Sequence, residues 1–202
     1  SYAIIENFEQ TIADYAGAKY GVAVESCTAA LFLCCLYVKP RVVSIPKFTY
    51  PGVACSIINA GGKVSFDDRV WKGAYQFMPF DAGVPIIWDS AMRFRKKMFI
   101  KDFYCLSFQN KKHLPIGRGG MILCDDLEAV KWFRKARLDG RDYHPSYGNG
   151  PITMTGWNMY LTPEQAAKGL MLFERFKDLE LPDLENKLQG YPDLSKVEAY
   201  KT

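Results

Sequence analysis

The sequence predicts an α/β fold with three layers, α/β/α, around a mostly parallel sheet. Three observations predict it. Helix-period and strand-like segments alternate along the chain. The strand candidates between Tyr20 and Ile45 are near-continuous apolar runs, as strands buried on both faces require. The 202 residues, 49% apolar and 24% charged, suit one large domain, or one domain with an appendage, and supply a sizeable core.

Each element has its own signal. Ile4, Ile5, Phe8, Ile12 and Tyr15 recur at helical spacing, and the pattern stops near Gly17. Residues 20–24 form a short β-rich run. Ser26-Cys27-Thr28 then opens an apolar helix over 29–38. A strand over 41–45 ends at Pro46, and residues 50–60 read as a helix closed by Gly61-Gly62. Further strands are expected over 63–66, 84–88, 103–108 and 120–124, and a helix over 126–138. The helix over 163–177 has a clear start: Thr162 as N-cap, Pro163 at the first helical position and Gln165 completing a capping box. Residues 139–156 read as a loop. After Pro182 scattered leucines keep no period, so residues 1–180 are taken as the large domain and 181–202 as a tail or the stub of a second domain.

Composition narrows the function classes. A net charge of +4, from 26 basic and 22 acidic residues, is too mild to argue for nucleic acid. The longest apolar run, 29–38, is well short of the roughly 20 residues a membrane-spanning helix needs. Residues 1–10 carry Glu6 and Glu9 and no basic stretch, unlike a signal peptide. The six cysteines show no CxxC spacing and lie in apolar stretches, which suits buried thiols in a reducing, cytoplasmic setting. His113 and His144 are far apart and form no HExxH pattern, so no metal site is expected.

Four segments sit where an α/β sheet presents ligands, at the carboxyl ends of strands. In Glu25-Ser26-Cys27-Thr28-Ala29-Ala30-Leu31, free amides at a helix start can hold a phosphate; an ordinary N-cap explains the same residues. In Ile86-Ile87-Trp88-Asp89-Ser90-Ala91, a carboxylate ends an apolar strand and needs a cationic partner: a protonated cofactor ring nitrogen, or a plain cap or salt bridge. The stretch from Ser107 through Lys111, Lys112 and His113 to Gly117-Arg118-Gly119-Gly120 presents lysines before a glycine-rich return. A lysine near an apolar sheet end can form a Schiff base, and two solvated surface lysines are the alternative. Gly156-Trp157-Asn158 precedes the capped helix and carries no signal alone. A further basic run, residues 93–101, reads as a charged hairpin edge, a contact to a sugar-linked diphosphate, or, least favoured, a nucleic-acid contact.

Together and in this order, the segments resemble the DegT/DnrJ-type family of pyridoxal-phosphate sugar aminotransferases, from about residue 6 to about residue 175. Residues from Phe8-Glu9 to Lys19-Tyr20 look like that family's entry helix. Ser26-Cys27-Thr28-Ala29-Ala30-Leu31 is similar to S-G-T-A-A-L, and Pro46-Lys47-Phe48-Thr49-Tyr50 to P-x-F-T-F. Ser107-Phe108 with Lys112 and Gly117-x-Gly119-Gly120 is similar to S-F-x-x-x-K … G-x-G-G, and Gly156-Trp157-Asn158 to G-x-N.

The resemblance implies a large domain of the aspartate-aminotransferase type, with pyridoxal 5'-phosphate as cofactor. It implies that Lys112 carries the cofactor as a Schiff base and shuttles the proton, and that Asp89 holds the pyridinium N–H. Tyr50 would stack on the ring. The backbone at Cys27 and Thr28 and the Ser107 hydroxyl would bind the phosphate. Asn158 would reach the partner subunit's site in a homodimer. An amino donor and a nucleotide-linked keto-sugar are the implied substrates.

Departures from the pattern are Cys27 for glycine, Met92 for the usual Gln or His, Tyr160 for Arg, and a short stretch between Asp67 and Asp89. The family's small C-terminal domain would begin where the chain stops. A pyridoxal-phosphate protein without turnover and a subunit needing a partner chain are therefore kept as alternatives. A dehydrating subset of the family has His in place of the lysine, but the ungapped spacing from Ser107 leaves Lys112 in place.

Overall fold

The computed structural model describes residues 2–143, 150–184 and 190–201. Helix α1 (Tyr2–Ala16) leads into β1 (Tyr20–Val24), α2 (Cys27–Val38), β2 (Val42–Pro46), α3 (Pro51–Asn59) and β3 (Lys63–Asp67). Then come β4 (Tyr75–Gln76), β5 (Met78–Pro79), β6 (Ile87–Asp89), β7 (Phe103–Ser107), β8 (Gly120–Cys124), α4 (Leu127–Ala136) and α5 (Pro163–Phe176). Five strands form one sheet in the order β1-β8-β7-β6-β4, and three form another in the order β3-β2-β5.

The three-layer expectation is met, and side-chain alternation shows how. On β8, Ile122 and Cys124 face one way while Met121 and Leu123 face the other; on β7, Phe103 and Cys105 oppose Tyr104 and Leu106. One face packs against α2, α3 and α4, and the opposite face against α1 and α5. Strand β8 is buried at every position. Helix α2 is apolar around its whole circumference because the sheet, α3 and α4 cover it.

The sheet is mixed rather than mostly parallel. Only β6–β7 and β2–β3 pair in parallel; β1–β8, β8–β7, β4–β6 and β2–β5 are antiparallel. The cause is the return from β7 to β8. It is a loop over residues 108–119 with no crossover helix, so β8 enters as a hairpin partner. Because β8 runs against both neighbours, β1, β7 and β6 all point the same way. The strand expected over 84–88 is only Ile87–Asp89: Pro85 has no amide to give, and the Ile86 amide donates to Asp102 Oδ2 at 3.2 Å. Strands β4 and β5 have two residues each and leave no pattern to read.

The basic run is not a hairpin edge. It forms turns between β6 and β7, with Phe94 and Phe99 buried beneath it. In the expected loop over 139–156, residues 144–149 (His144 included) lie outside the described residues, as do 185–189 and Thr202 in the tail. All six cysteines are free. Among the described residues no helix is long and apolar enough to cross a membrane.

The open edge of β1 is closed at its end by an antiparallel bridge from Val24 to Tyr160 and before that by side chains. Glu9 on α1, 1% exposed, accepts from the Ala23 amide at 2.8 Å, and the fully buried Arg137 donates to the Ala23 carbonyl and to Glu9. This buried pair ties α1, β1 and the end of α4 together. Removing one partner strands the other charge. Glu9→Ala is expected to cost about 3–5 kcal/mol in urea denaturation, and Glu9→Ala with Arg137→Met to recover a large part of that loss.

Candidate active site

The shared direction of β1, β6 and β7 brings the turn at Ser26, the carboxyl of Asp89 and the hydroxyl of Ser107 to one edge of the sheet. They line a cavity of about 410 Å³.

Asp89 ends β6 and is 5% exposed. Its Oδ1 accepts from the Ala91 amide at 3.0 Å and its Oδ2 from the Tyr75 hydroxyl at 3.0 Å. Tyr75 lies directly across the β4–β6 ladder, and its oxygen is 2.7 Å from Thr49 Oγ1. Burial pushes the Asp89 carboxyl above the usual carboxylate range, opposed by these two donors and by the charge of Lys112.

Lys112 sits in the loop after β7, turned by a bond from its amide to the Gln109 carbonyl at 2.9 Å. Its Nζ is 2.9 Å from Met92 Sδ. Burial pushes its ammonium below the usual lysine value, and the charge of Asp89 pulls the other way. Its neighbour Lys111 is exposed at the rim. The cavity therefore sets a half-buried amine with a lowered pKa and a buried carboxyl to act on one another.

At the turn into α2, Ser26 Oγ accepts from the Ala29 amide at 3.0 Å, while the Cys27 and Thr28 amides have no intrahelical acceptor. They form a donor pair suited to an anion. Cys27 is the first residue of α2, has no positive φ, and turns its thiol to the Cys105 carbonyl at 3.5 Å, so this turn needs no glycine. The glycine requirement lies across the turn. A Cβ on Gly120 would stand 2.4 Å from the Ser26 carbonyl carbon and 2.5 Å from the Cys27 nitrogen, so β8 passes this turn only without a side chain.

Tyr50, 58% exposed, precedes α3 and borders the cavity. A Cβ on Gly52 would come within 2.8 Å of the Tyr50 ring and 3.1 Å of Thr28 Oγ1, so its absence leaves the ring room beside the helix start. Asn158 is the one candidate outside this cavity. It lies on the surface with its amide 3.4 Å from Asp139 Oδ2, while its neighbours Trp157 and Met159 line an adjoining, more open space of about 650 Å³.

Sequence reasoning missed Thr49, Tyr75, Trp71 and Tyr191, all of which line the cavity or hold Asp89. Thr49 lay inside a quoted motif without a role. Tyr75 and Trp71 lie in the stretch noted only for its shortness, and Tyr191 in the tail without a period.

The family model of the DegT/DnrJ/EryC1/StrS aminotransferases matches residues 1–71 and 81–183. The chain belongs to that family. Its members are pyridoxal-phosphate-dependent. The spore coat polysaccharide biosynthesis protein SpsC of Bacillus subtilis (strain 168) is 28% identical over 87% of this chain and 58% of its own length. 3-Amino-5-hydroxybenzoic acid synthase shares the fold with a TM-score of 0.73 at 20% identity, over 85% of this chain and 56% of that one. The PMP form of the sugar aminotransferase Spr1654 of Streptococcus pneumoniae gives 0.72 at 18% identity, over 87% and 59%. The chain thus spans under two thirds of the length of these relatives.

The cavity fits the family's cofactor. It offers a buried carboxyl for a ring N–H, free helix-start amides for a phosphate, a half-buried amine for an aldehyde, and an aromatic ring at the mouth.

A raised Asp89 pKa means that the folded, ligand-free chain binds a proton the unfolded chain lacks. The associated stability is fully present below the ordinary carboxylate range and is lost as pH rises through the raised value. Asp89→Asn, in ligand-free protein, is therefore expected to melt a few degrees higher than wild type near pH 7, about what 1 kcal/mol shifts in a domain of this size. The gap should close toward pH 4 in scanning calorimetry. A lower melting temperature for the variant at pH 7 would show the carboxylate to be net stabilising.

Proposed function

We propose that this chain is a pyridoxal-phosphate-dependent aminotransferase that moves an amino group from a donor such as glutamate to a nucleotide-linked keto-sugar. The observation that carries the reading is the half-buried Lys112 amine and the buried Asp89 carboxyl lining one cavity. When bound, the cofactor supplies an electron sink for the carbanion left on the donor's α-carbon.

The rest of the chemistry falls to the chain. Lys112 Nζ would be the amine that holds the cofactor's aldehyde carbon and, when free, the base that moves the donor's α-proton. Its lowered pKa keeps more of it neutral, the form that attacks and accepts protons. Asp89 holds the ring N–H and keeps its positive charge. The Cys27 and Thr28 amides and the Ser107 hydroxyl hold the phosphate, and Tyr50 covers the ring. Asn158, facing outward beside the adjoining space, reaches the second site of a homodimer. The keto-sugar rests on the family and on SpsC, named for polysaccharide biosynthesis. A cytoplasmic setting suits six free cysteines.

The test is the absorbance of the purified chain mixed with pyridoxal phosphate. Wild type is expected to show a visible Schiff-base band that glutamate bleaches. Lys112→Ala is expected to lack the band, with any residual turnover down by at least ~100-fold, as loss of an acid–base group entails. A band that no amino donor bleaches would favour cofactor binding without turnover. Titrated with pH, aldehyde capture by wild type should reach half-maximum below the pH that a solvent-exposed lysine needs; an unshifted midpoint would remove the lowered Lys112 pKa from the mechanism.

A further inference from the structure

Residues beyond the family match also reach the cavity. The match ends at residue 183, yet Tyr191 lines the same cavity as Asp89 and Lys112 and packs against the main core. Chain on either side of it is fastened to opposite walls. On the wall that carries Lys112, Asp183 is 10% exposed at its side chain and takes Arg93 at 2.7 Å and Arg95 at 2.9 Å. Its carboxyl fills the space left by Gly73, where a Cβ would come within 2.4 Å. The Leu184 amide donates to the Met92 carbonyl at 2.9 Å, and the Pro182 carbonyl is 2.9 Å from His113 Nε2. On the wall that carries Thr49 and Tyr50, the Leu194 amide donates to the Lys47 carbonyl at 2.9 Å with its side chain 1% exposed, and the Tyr200 hydroxyl donates to the Pro51 carbonyl at 3.4 Å. Met92 borders Lys112, and Lys47 and Pro51 flank Thr49 and Tyr50.

Resting on the cofactor reading above, we infer that residues 182–184 and 190–201, fastened one to each wall, form an anchored tail segment, and that Tyr191 is its cofactor-retaining residue. The Tyr191 ring is part of the cavity lining and would offer the cofactor an apolar face in the same cavity as Asp89. Burial, followed by the charges of Asp89 and Tyr50, pushes its phenol above the ordinary tyrosine value, so the ring meets the ligand neutral. The Arg93 and Arg95 side chains both pair with Asp183 and so anchor residues 182–184.

The probe is pyridoxamine phosphate, which cannot bond to Lys112, so retention is read apart from covalent capture. Binding to the full chain is followed by quenching of tryptophan fluorescence, since Trp71 lines the cavity. Tyr191→Ala is expected to weaken the dissociation constant about ten-fold or more, the scale of an aromatic wall lost from a ligand. Tyr191→Phe should stay within about two-fold of wild type. Asp183→Asn, which leaves Tyr191 in place and loosens one anchor, should weaken binding in the same direction, with circular dichroism confirming folded protein in each case. Unchanged or tighter binding by Tyr191→Ala would overturn the inference and leave the cofactor reading standing. Absence of binding by wild type would overturn both.

Discussion

A carboxylate at 5% exposure is the constraint around which the site is arranged. Burying such a group is costly unless donors and opposite charge answer it. The Ala91 amide answers one oxygen and the Tyr75 hydroxyl the other, and Thr49 backs the tyrosine. The two-residue strand β4 makes structural sense in this light, because its register sets Tyr75 opposite Asp89. What remains of the carboxyl's surroundings is the cavity, where Lys112 provides the opposing charge. Burial drives both groups toward their neutral forms and their mutual attraction drives them back, so each group's proton depends on what enters between them.

Strand direction decides that these groups meet. Strands β1, β6 and β7 run together, so three loops that are distant in sequence emerge at one edge. The price of inserting β8 against them is a backbone that must cross the Ser26–Cys27 peptide at contact distance, and Gly120 is the residue that allows it. The opposite side of β1, which would be an unpaired edge, is occupied by Glu9 and Arg137. Both devices protect the turn that presents the Cys27 and Thr28 amides, one from inside the sheet and one from its rim.

Much of this was legible because the local signals agreed with one another. The capping box at Thr162 and Gln165 forms as its spacing implies, and β8 occupies the expected residues. Of the apolar runs between Tyr20 and Ile45, β1 is buried at every position but its first, whereas β2 leaves Val42 and Ser44 half-buried. Strand β6 came out shorter than its apolar run because a proline and a side-chain bond end the ladder. The basic run was misread because its charge pattern resembles a protected edge, whereas two of its arginines clamp Asp183, far away in sequence.

The sequence by itself determined the α/β alternation, the family and the set of side chains that line the cavity from matched motifs, since these depend on local spacing and residue chemistry. Only the tertiary structure decided that the sheet is mixed, that Tyr75 and Thr49 hold Asp89, and that Tyr191 enters from the tail. Each of these depends on strand direction and long-range packing: β8 reverses at a loop with no helix, β4 is too short to leave a period, and the residues around Tyr191 are fastened through Leu184, Leu194 and Tyr200 to Met92, Lys47 and Pro51, far earlier in the chain. A one-dimensional pattern carries no record of such contacts, because none repeats at a helix or strand period.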